Sequence, residues 1–334
     1  MRVNKKKYYK NKYKYLIYLV LLIYLTPNFL LGKEDLYYYE EALKTERVSS
    51  LLSIPLYEEF LKNNPPKKYS EAVVGRLFDL YVMNNKYDDL IILNELHKID
   101  KNRKKRLEEL YIHLSGSFGI PLETFSNLSK LAPKKDSNSL SSLVEMYNID
   151  KNKYMLSYIF AIKLKLNDFE SIQYILNNII DINPILKIIY YVKINSTKVK
   201  SGMEDVYRSN STDEVKKELF FLYGIHLSKA KRFKEAIRYY RMSNSFAKNE
   251  NSINYTKATI EISKNLYIKG FSSEACKNIS DKKIIINNES DEFIKIYCDP
   301  ERNKELKNIL PAIKFYAKKD YNLIFKRYLN EIKD

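Results

Sequence analysis

Residues 217–248 read KELFFLYGIHLSKAKRFKEAIRYYRMSNSFAK, and this stretch decides the fold. Leu219, Leu222, Tyr223 and Leu227 form an apolar stripe at helical spacing, and Phe233, Ala236, Ile237 and Tyr240 form a second one. Between the stripes the run from Lys229 to Phe233 reads as a polar turn. The small residues Gly224 and Ala236 stand twelve positions apart. Two antiparallel helices crossing there would approach closely, and a larger side chain would push them apart.

This pattern resembles a tetratricopeptide repeat, in which a small residue at the eighth position faces one at the twentieth. With Lys217 as the first position, Phe220, Tyr223, Gly224, Leu227, Ala236 and Tyr240 fall on signature positions, and Lys248 departs by standing where proline is usual. The resemblance implies an all-α, TPR-like α-solenoid of antiparallel helix pairs, and a binding scaffold rather than an enzyme. Composition agrees with the fold class. The 334-residue chain is 45% hydrophobic but has only 7 Gly, no Trp and few alternating β-branched runs.

Residues 1–32 read as a signal peptide or an uncleaved N-terminal anchor. Arg2, Lys5, Lys6, Lys7, Lys10, Lys12 and Lys14 precede an apolar run from Leu16 to Leu25, and Pro27 breaks the helix ahead of Lys33. The expectation is therefore an exported protein of the periplasm or cell envelope, with membrane association through residues 16–31 if the segment is retained. Setting aside the seven cations of residues 1–32 reduces the formal charge from +17 to +10. In the remainder Lys alternates with Glu and Asp along most helices, which reads as solvated faces and not as a nucleic-acid surface. Cys276 and Cys298 are a disulfide candidate, which the signal segment favours over the alternative of two reduced, buried cysteines acting as small hydrophobes.

The same register can be laid along the rest of the chain. Pro55 to Asn84 is similar to the repeat junctions of exported tetratricopeptide proteins related to the outer-membrane assembly lipoprotein and the periplasmic cell-division coordinator. In these a helix ending in Tyr57 and Phe60-Leu61 runs into proline, then Tyr69 and Glu71-Ala72. No lipidation cysteine lies near the expected cut, which argues against the assembly family proper. Leu90, Thr124, Ile172, Val206, Ala236 and Ala275 are expected at the inward position of successive second helices, with a long turn from Asn195 to Met203. The polar run PKKDSNSLSS from Pro133 suggests a loop or hinge at 137–142, dividing repeats at 33–136 from repeats at 143–334.

Chemistry finds little footing. His97, His113 and His226 each stand alone on helical segments, without Cys or carboxylate partners at metal-ligand spacing. No glycine-rich loop joins a strand to a helix, and Gly116 to Gly119 reads as an inter-helix turn. The expectation is a protein without catalytic residues, metal or cofactor, binding a protein partner in a concave groove. Groove-facing positions by this register are Phe221, Ile225 and Lys229, with Ile309, Ile313 and Tyr316 near the C-terminus. The alternative is a helical accessory domain that binds cell-wall glycan, similar in architecture to the superhelical part of lytic transglycosylases.

Overall fold

The computed structural model describes residues 36–179, 182–209, 212–247, 252–280, 284, 286–318 and 322–333, and among these every regular element is a helix. Residues 1–32, expected as signal peptide or anchor, lie outside the described residues. Among the described residues no helix is long and apolar enough to cross a membrane.

Helix α1 (36–48) leads into α2 (Ser50–Lys62), where the Ser49 hydroxyl accepts the Leu52 N–H at 3.3 Å. There follow α3 (Lys67–Met83), α4 (Tyr87–Leu96), α5 (Lys101–Phe118), α6 (Leu122–Leu131), α7 (Ser137–Asp150), α8 (Lys153–Lys165) and α9 (Phe169–Asn178). The second half comprises α10 (Pro184–Lys193), α11 (Lys198–Arg208), α12 (Asp213–Lys229), α13 (Phe233–Ser245), α14 (Ile253–Ile268), α15 (Ser272–Lys277) and α16 (Glu289–Cys298). It closes with a 3₁₀ segment (Asn303–Ile309), α17 (Leu310–Lys318) and α18 (Leu323–Glu331).

Four connections, α3–α4, α8–α9, α12–α13 and α14–α15, repeat one local geometry. Asn85, Asn167, Lys231 and Gly270 adopt left-handed φ of 54°, 52°, 60° and 93°. The next residue, Lys86, Asp168, Arg232 or Phe271, has φ between −86° and −94° and ψ between 57° and 69°. Its N–H donates to the carbonyl five residues back, at 2.8, 2.9, 2.9 and 3.0 Å respectively. That bond satisfies an orphan carbonyl of the first helix and turns the chain into the second. Four residues further on stand Leu90, Ile172, Ala236 and Ala275, each fully buried. The inward register expected from the sequence therefore holds at these four places.

It fails where the turn changes. After α5, Gly119 is left-handed and Ile120 N–H bonds Ser115 O at 2.9 Å, but Pro121 adds a residue before α6. Phe125, not Thr124, takes the buried position. After α10 the turn is short: Asn195 is left-handed, Ser196 N–H reaches Tyr191 O at 2.8 Å, and α11 starts at Lys198. Its buried residues are Val199 and Met203, and Val206 is only partly buried. The expected long turn to Met203 is helix. The expected hinge at 137–142 is also helix, because Asp136 caps α7 by accepting the Ser139 N–H at 2.9 Å and the Ser139 hydroxyl at 2.8 Å. One apolar cluster runs from Ala42 to Tyr328, through Leu140 and Leu143, so the core does not divide at that point. A smaller cluster joins Ile188 and Val192 of α10 to Val199 and Met203 of α11 and to Leu219 and Leu222 of α12.

Among the described residues, helices from early and late in the chain meet. Helix α2 packs against α16 and α17. The Tyr316 hydroxyl donates to Leu52 O, Arg302 donates to Val48 O at 3.0 Å, and Lys86 pairs with Glu289 at 3.3 Å.

At Gly224 helices α12 and α13 approach closely. A Cβ placed there would lie 2.5 Å from the ring of Tyr240, which is fully buried, so the ring or a helix would have to shift. Helix propensity alone would make Gly224→Ala stabilising by about 1 kcal/mol, whereas overpacking costs about 1–3 kcal/mol. The clash should win. The expected result is a net loss of about 1 kcal/mol in urea unfolding, and Gly224→Val should lose more.

A buried ion pair fixes the α8–α9 turn. Lys163 is fully buried and donates to Asp168 at 3.0 Å and to Lys134 O, while Asp168 accepts the Ser171 hydroxyl at 2.6 Å. Burial pushes the Lys163 ammonium down. Burial would push the Asp168 carboxyl up, but the Ser171 and Lys163 hydrogen bonds and the Lys163 charge outweigh it and leave its pKa lowered. A carboxyl depressed on folding contributes stability above its unfolded pKa of about 4, and loses it as pH falls through the folded value. Acid unfolding of Asp168→Asn, followed by circular dichroism, should therefore be shallower than the parent's below about pH 4.

Candidate functional site

Two of the six expected groove residues, Ile225 and Lys229, line a cavity of about 490 Å³ between α12, α13, α14, the first turn of α16 and α18. They stand one turn apart on α12, so both face the same space. Phe233, Ile268 and Leu323 supply apolar wall, and Ser228, Asn265 and Tyr240 supply polar atoms. Those polar atoms hold one another: the Ser228 hydroxyl donates to Asn265 Oδ1 at 2.9 Å and lies 3.2 Å from the Tyr240 hydroxyl, and Asn265 Nδ2 donates to Glu261 O at 2.7 Å. The wall is thereby fixed before anything binds.

Lysines dominate the cavity's charge. Lys229 donates to Val192 O at 2.9 Å, a terminal carbonyl of α10, where a cation also suits the helix dipole. Burial, then the Lys193 charge, lowers its pKa. Lys231 and Lys326 are exposed and make no ion pair with another described residue. Lys231 occupies the left-handed turn position where Asn or Gly stands in the other three equivalent connections. A long side chain is kept there against a backbone cost of about 1–2 kcal/mol.

Behind the lysines lies a buried charge cluster. Lys264 bonds Glu261 at 2.5 Å and Asp291 at 2.7 Å, and Asp291 is 1% exposed. Burial would lower the Lys264 ammonium, but the two carboxylates outweigh it and hold it above the usual lysine range. Burial raises Glu261. Asp291 also accepts the Asn287 N–H at 3.1 Å, so the cluster ties α14 to the start of α16. By sequence pattern a Glu and a Lys three apart on a helix suit a solvated face. What makes it interior is Asp291, which approaches from another helix and leaves no local trace in the sequence.

The remaining expected groove residues lie elsewhere. Phe221 is partly buried, with its ring 5.7 Å from that of Tyr240. Ile309, Ile313 and Tyr316 are 1%, 0% and 2% exposed and belong to the core. Their assignment to an open groove is corrected: α17 packs against α2, so the face that the repeat register turns outward is covered by a helix from early in the chain. Cys276 and Cys298 are joined in a disulfide between α15 and the end of α16, with Cα atoms 4.9 Å apart. His226 stacks on Tyr223 at 5.9 Å, and burial lowers the pKa of His226 and of His97.

A second cavity, of about 680 Å³, opens between the start of α2, the α3–α4 turn, α8 and the start of α16. Asn84, Asn85 and Asn287 line it, and its charges are paired, Lys86 with Glu289, Lys165 with Asp89 at 2.6 Å, and Arg302 with Glu292 at 3.6 Å.

No family model matches the chain, and no curated protein or solved structure matches it either.

Proposed function

We propose that the protein is a non-enzymatic interaction scaffold of a bacterial cell envelope, a TPR-like solenoid that takes a partner's polypeptide segment in the cavity lined by Ile225 and Lys229. The recurring α3–α4, α8–α9, α12–α13 and α14–α15 turns support the repeat reading. The basic segment 1–14 and the apolar run that follows support export. The observation that carries the binding site is that Ile225 and Lys229, chosen from the repeat register, share one preformed cavity with uncommitted cations at its mouth. Its lining suits a segment with apolar side chains against Ile225, Phe233 and Ile268 and carboxylates near Lys231 and Lys326.

A photo-crosslinking residue at Ile225, compared with one at the exposed Ile149, which does not line the cavity, tests this in envelope fractions. An adduct specific to position 225, lost when Lys231→Glu and Lys326→Glu are combined, is the expected outcome. The same adducts from both positions, or none, would remove the cavity from the proposal.

The glycan reading is favoured by one feature, the larger cavity. Its amides and neutralised charges suit an uncharged, hydroxyl-rich ligand better than an ion. Salt-resistant retention of purified protein on murein, weakened by Asn85→Ala, would support it.

A further inference from the structure

Helices α11, α12 and α13 enclose a hollow of about 330 Å³ that shares no lining residue with either cavity described above. Its floor is apolar, with Met203 and Leu219 buried and Phe220 9% exposed. Aromatic rings form a continuous wall. Tyr207 and Phe220 have centroids 6.0 Å apart, Phe220 and Tyr239 6.0 Å, and Tyr239 and Tyr223 4.7 Å in an edge-to-face pair. Tyr207 is 48% exposed and Tyr223 and Tyr239 are partly buried, so the Tyr207 end of that wall faces water. Leaving that end of the row wet costs hydrophobic free energy that an inserted apolar group would recover. The thioethers of Met203 and Met242 add soft surface that favours contact with another ring.

The rim selects the charge of what enters. Glu204 is engaged by Lys200 at 3.9 Å, whereas Arg208 has neither ion pair nor hydrogen bond to another described residue. The Lys216 ammonium lies 5.9 Å from the centre of the Tyr207 ring but is paired with Asp213 at 3.8 Å. The rim charge left without a counter-charge among the described residues is that of Arg208, and it is positive. An alkylammonium ligand, which rings alone would attract, meets repulsion here. A carboxylate beside the inserted group meets the guanidinium of Arg208, which can bind it through two parallel N–H bonds.

We infer that this hollow is a second docking site, for an aromatic side chain flanked by a carboxylate on a partner polypeptide. It is independent of the proposed cavity function, since it uses other faces of α12 and α13. An aromatic anchor fits because it fills a small apolar pocket with few rotatable bonds to freeze.

The chain contains no tryptophan, so a tryptophan in a probe peptide reports binding without background. Three short blocked peptides serve, each with one tryptophan followed by two aspartates, two asparagines or two lysines, titrated against the full chain. Saturable blue-shifted emission is expected with the aspartate peptide, with binding at least about tenfold weaker for the lysine peptide. Arg208→Glu should abolish or reverse that order, and Tyr207→Ala should weaken all three peptides. Both residues are exposed, and unchanged thermal melts would show that the variants remain folded. Absence of saturable binding at about 1 mM, or equal binding of the three peptides, overturns the inference. So does binding that survives Tyr207→Ala and is lost in Lys326→Glu, because the peptide would then occupy the other cavity.

Discussion

Lys264→Met is expected to lower the unfolding free energy by about 3–5 kcal/mol, the largest single-residue effect foreseen in this protein. The ammonium of Lys264 is held between Glu261 and Asp291 at 2.5 and 2.7 Å, and Asp291 is almost inaccessible to water. Methionine preserves much of the side-chain volume, so the cavity term is small and the loss reports the charge. Two carboxylates, one of them almost inaccessible to water, would remain without the ammonium between them, and one must take up a proton or draw in water. Two further variants separate the causes. Lys264→Met combined with Asp291→Asn should recover a large part of the loss, because the most buried charge is removed together with its partner. Lys264→Arg keeps the charge but must fit a planar guanidinium, and should fall between them. Urea midpoints measured at one pH decide the matter. A loss under about 1 kcal/mol for Lys264→Met would mean that water already reaches the carboxylates.

Changing Cys276 and Cys298 together to serine is expected to cost about 3 kcal/mol, since the bridge closes a loop between residues 22 apart. The bridge links the short helix α15 to the end of α16, and the chain between them includes residues outside the described set. Six residues make too short a helix to persist without packing. Its hold on the core is Ala275, which is fully buried. Reductant should lower the parent's urea midpoint by the amount that the double serine variant has already lost, and should leave that variant unmoved. Thiol titration of the unfolded parent provides the complementary check. Two reactive thiols in protein recovered from an oxidising compartment would remove the bridge and the predicted cost together.

The turns were the part of the fold most open to reading, because a few adjacent residues specify them. Asn85, Asn167 and Gly270 are types that tolerate left-handed backbone, and each is followed by a second helix whose inward residue stands five positions later. Once a turn gained or lost a residue the register slipped without any change in periodicity. Pro121 displaced the inward position from Thr124 to Phe125, and the short turn at Asn195 moved it off Val206. The polar stretch at 137–142 resembled a hinge because Ser, Asp and Asn serve both loops and helix starts, and only the Asp136 cap distinguishes the two.

The candidate site was legible by half. Ile225 and Lys229 follow from one repeat read along its own helix, whereas Lys264, Lys326 and Leu323 reach the same cavity from helices distant in sequence. The sequence by itself determined the helical class, the places where the chain doubles back and the inward face of most second helices, since these depend on interactions spanning a few residues. Tertiary structure alone decided that Ile309, Ile313 and Tyr316 are core and that Lys163 and Lys264 are interior. An apolar or charged stripe on a helix states which face differs from the rest. What covers that face is chosen by helices hundreds of residues away, here α2 against α17, and no periodicity within either helix records the other.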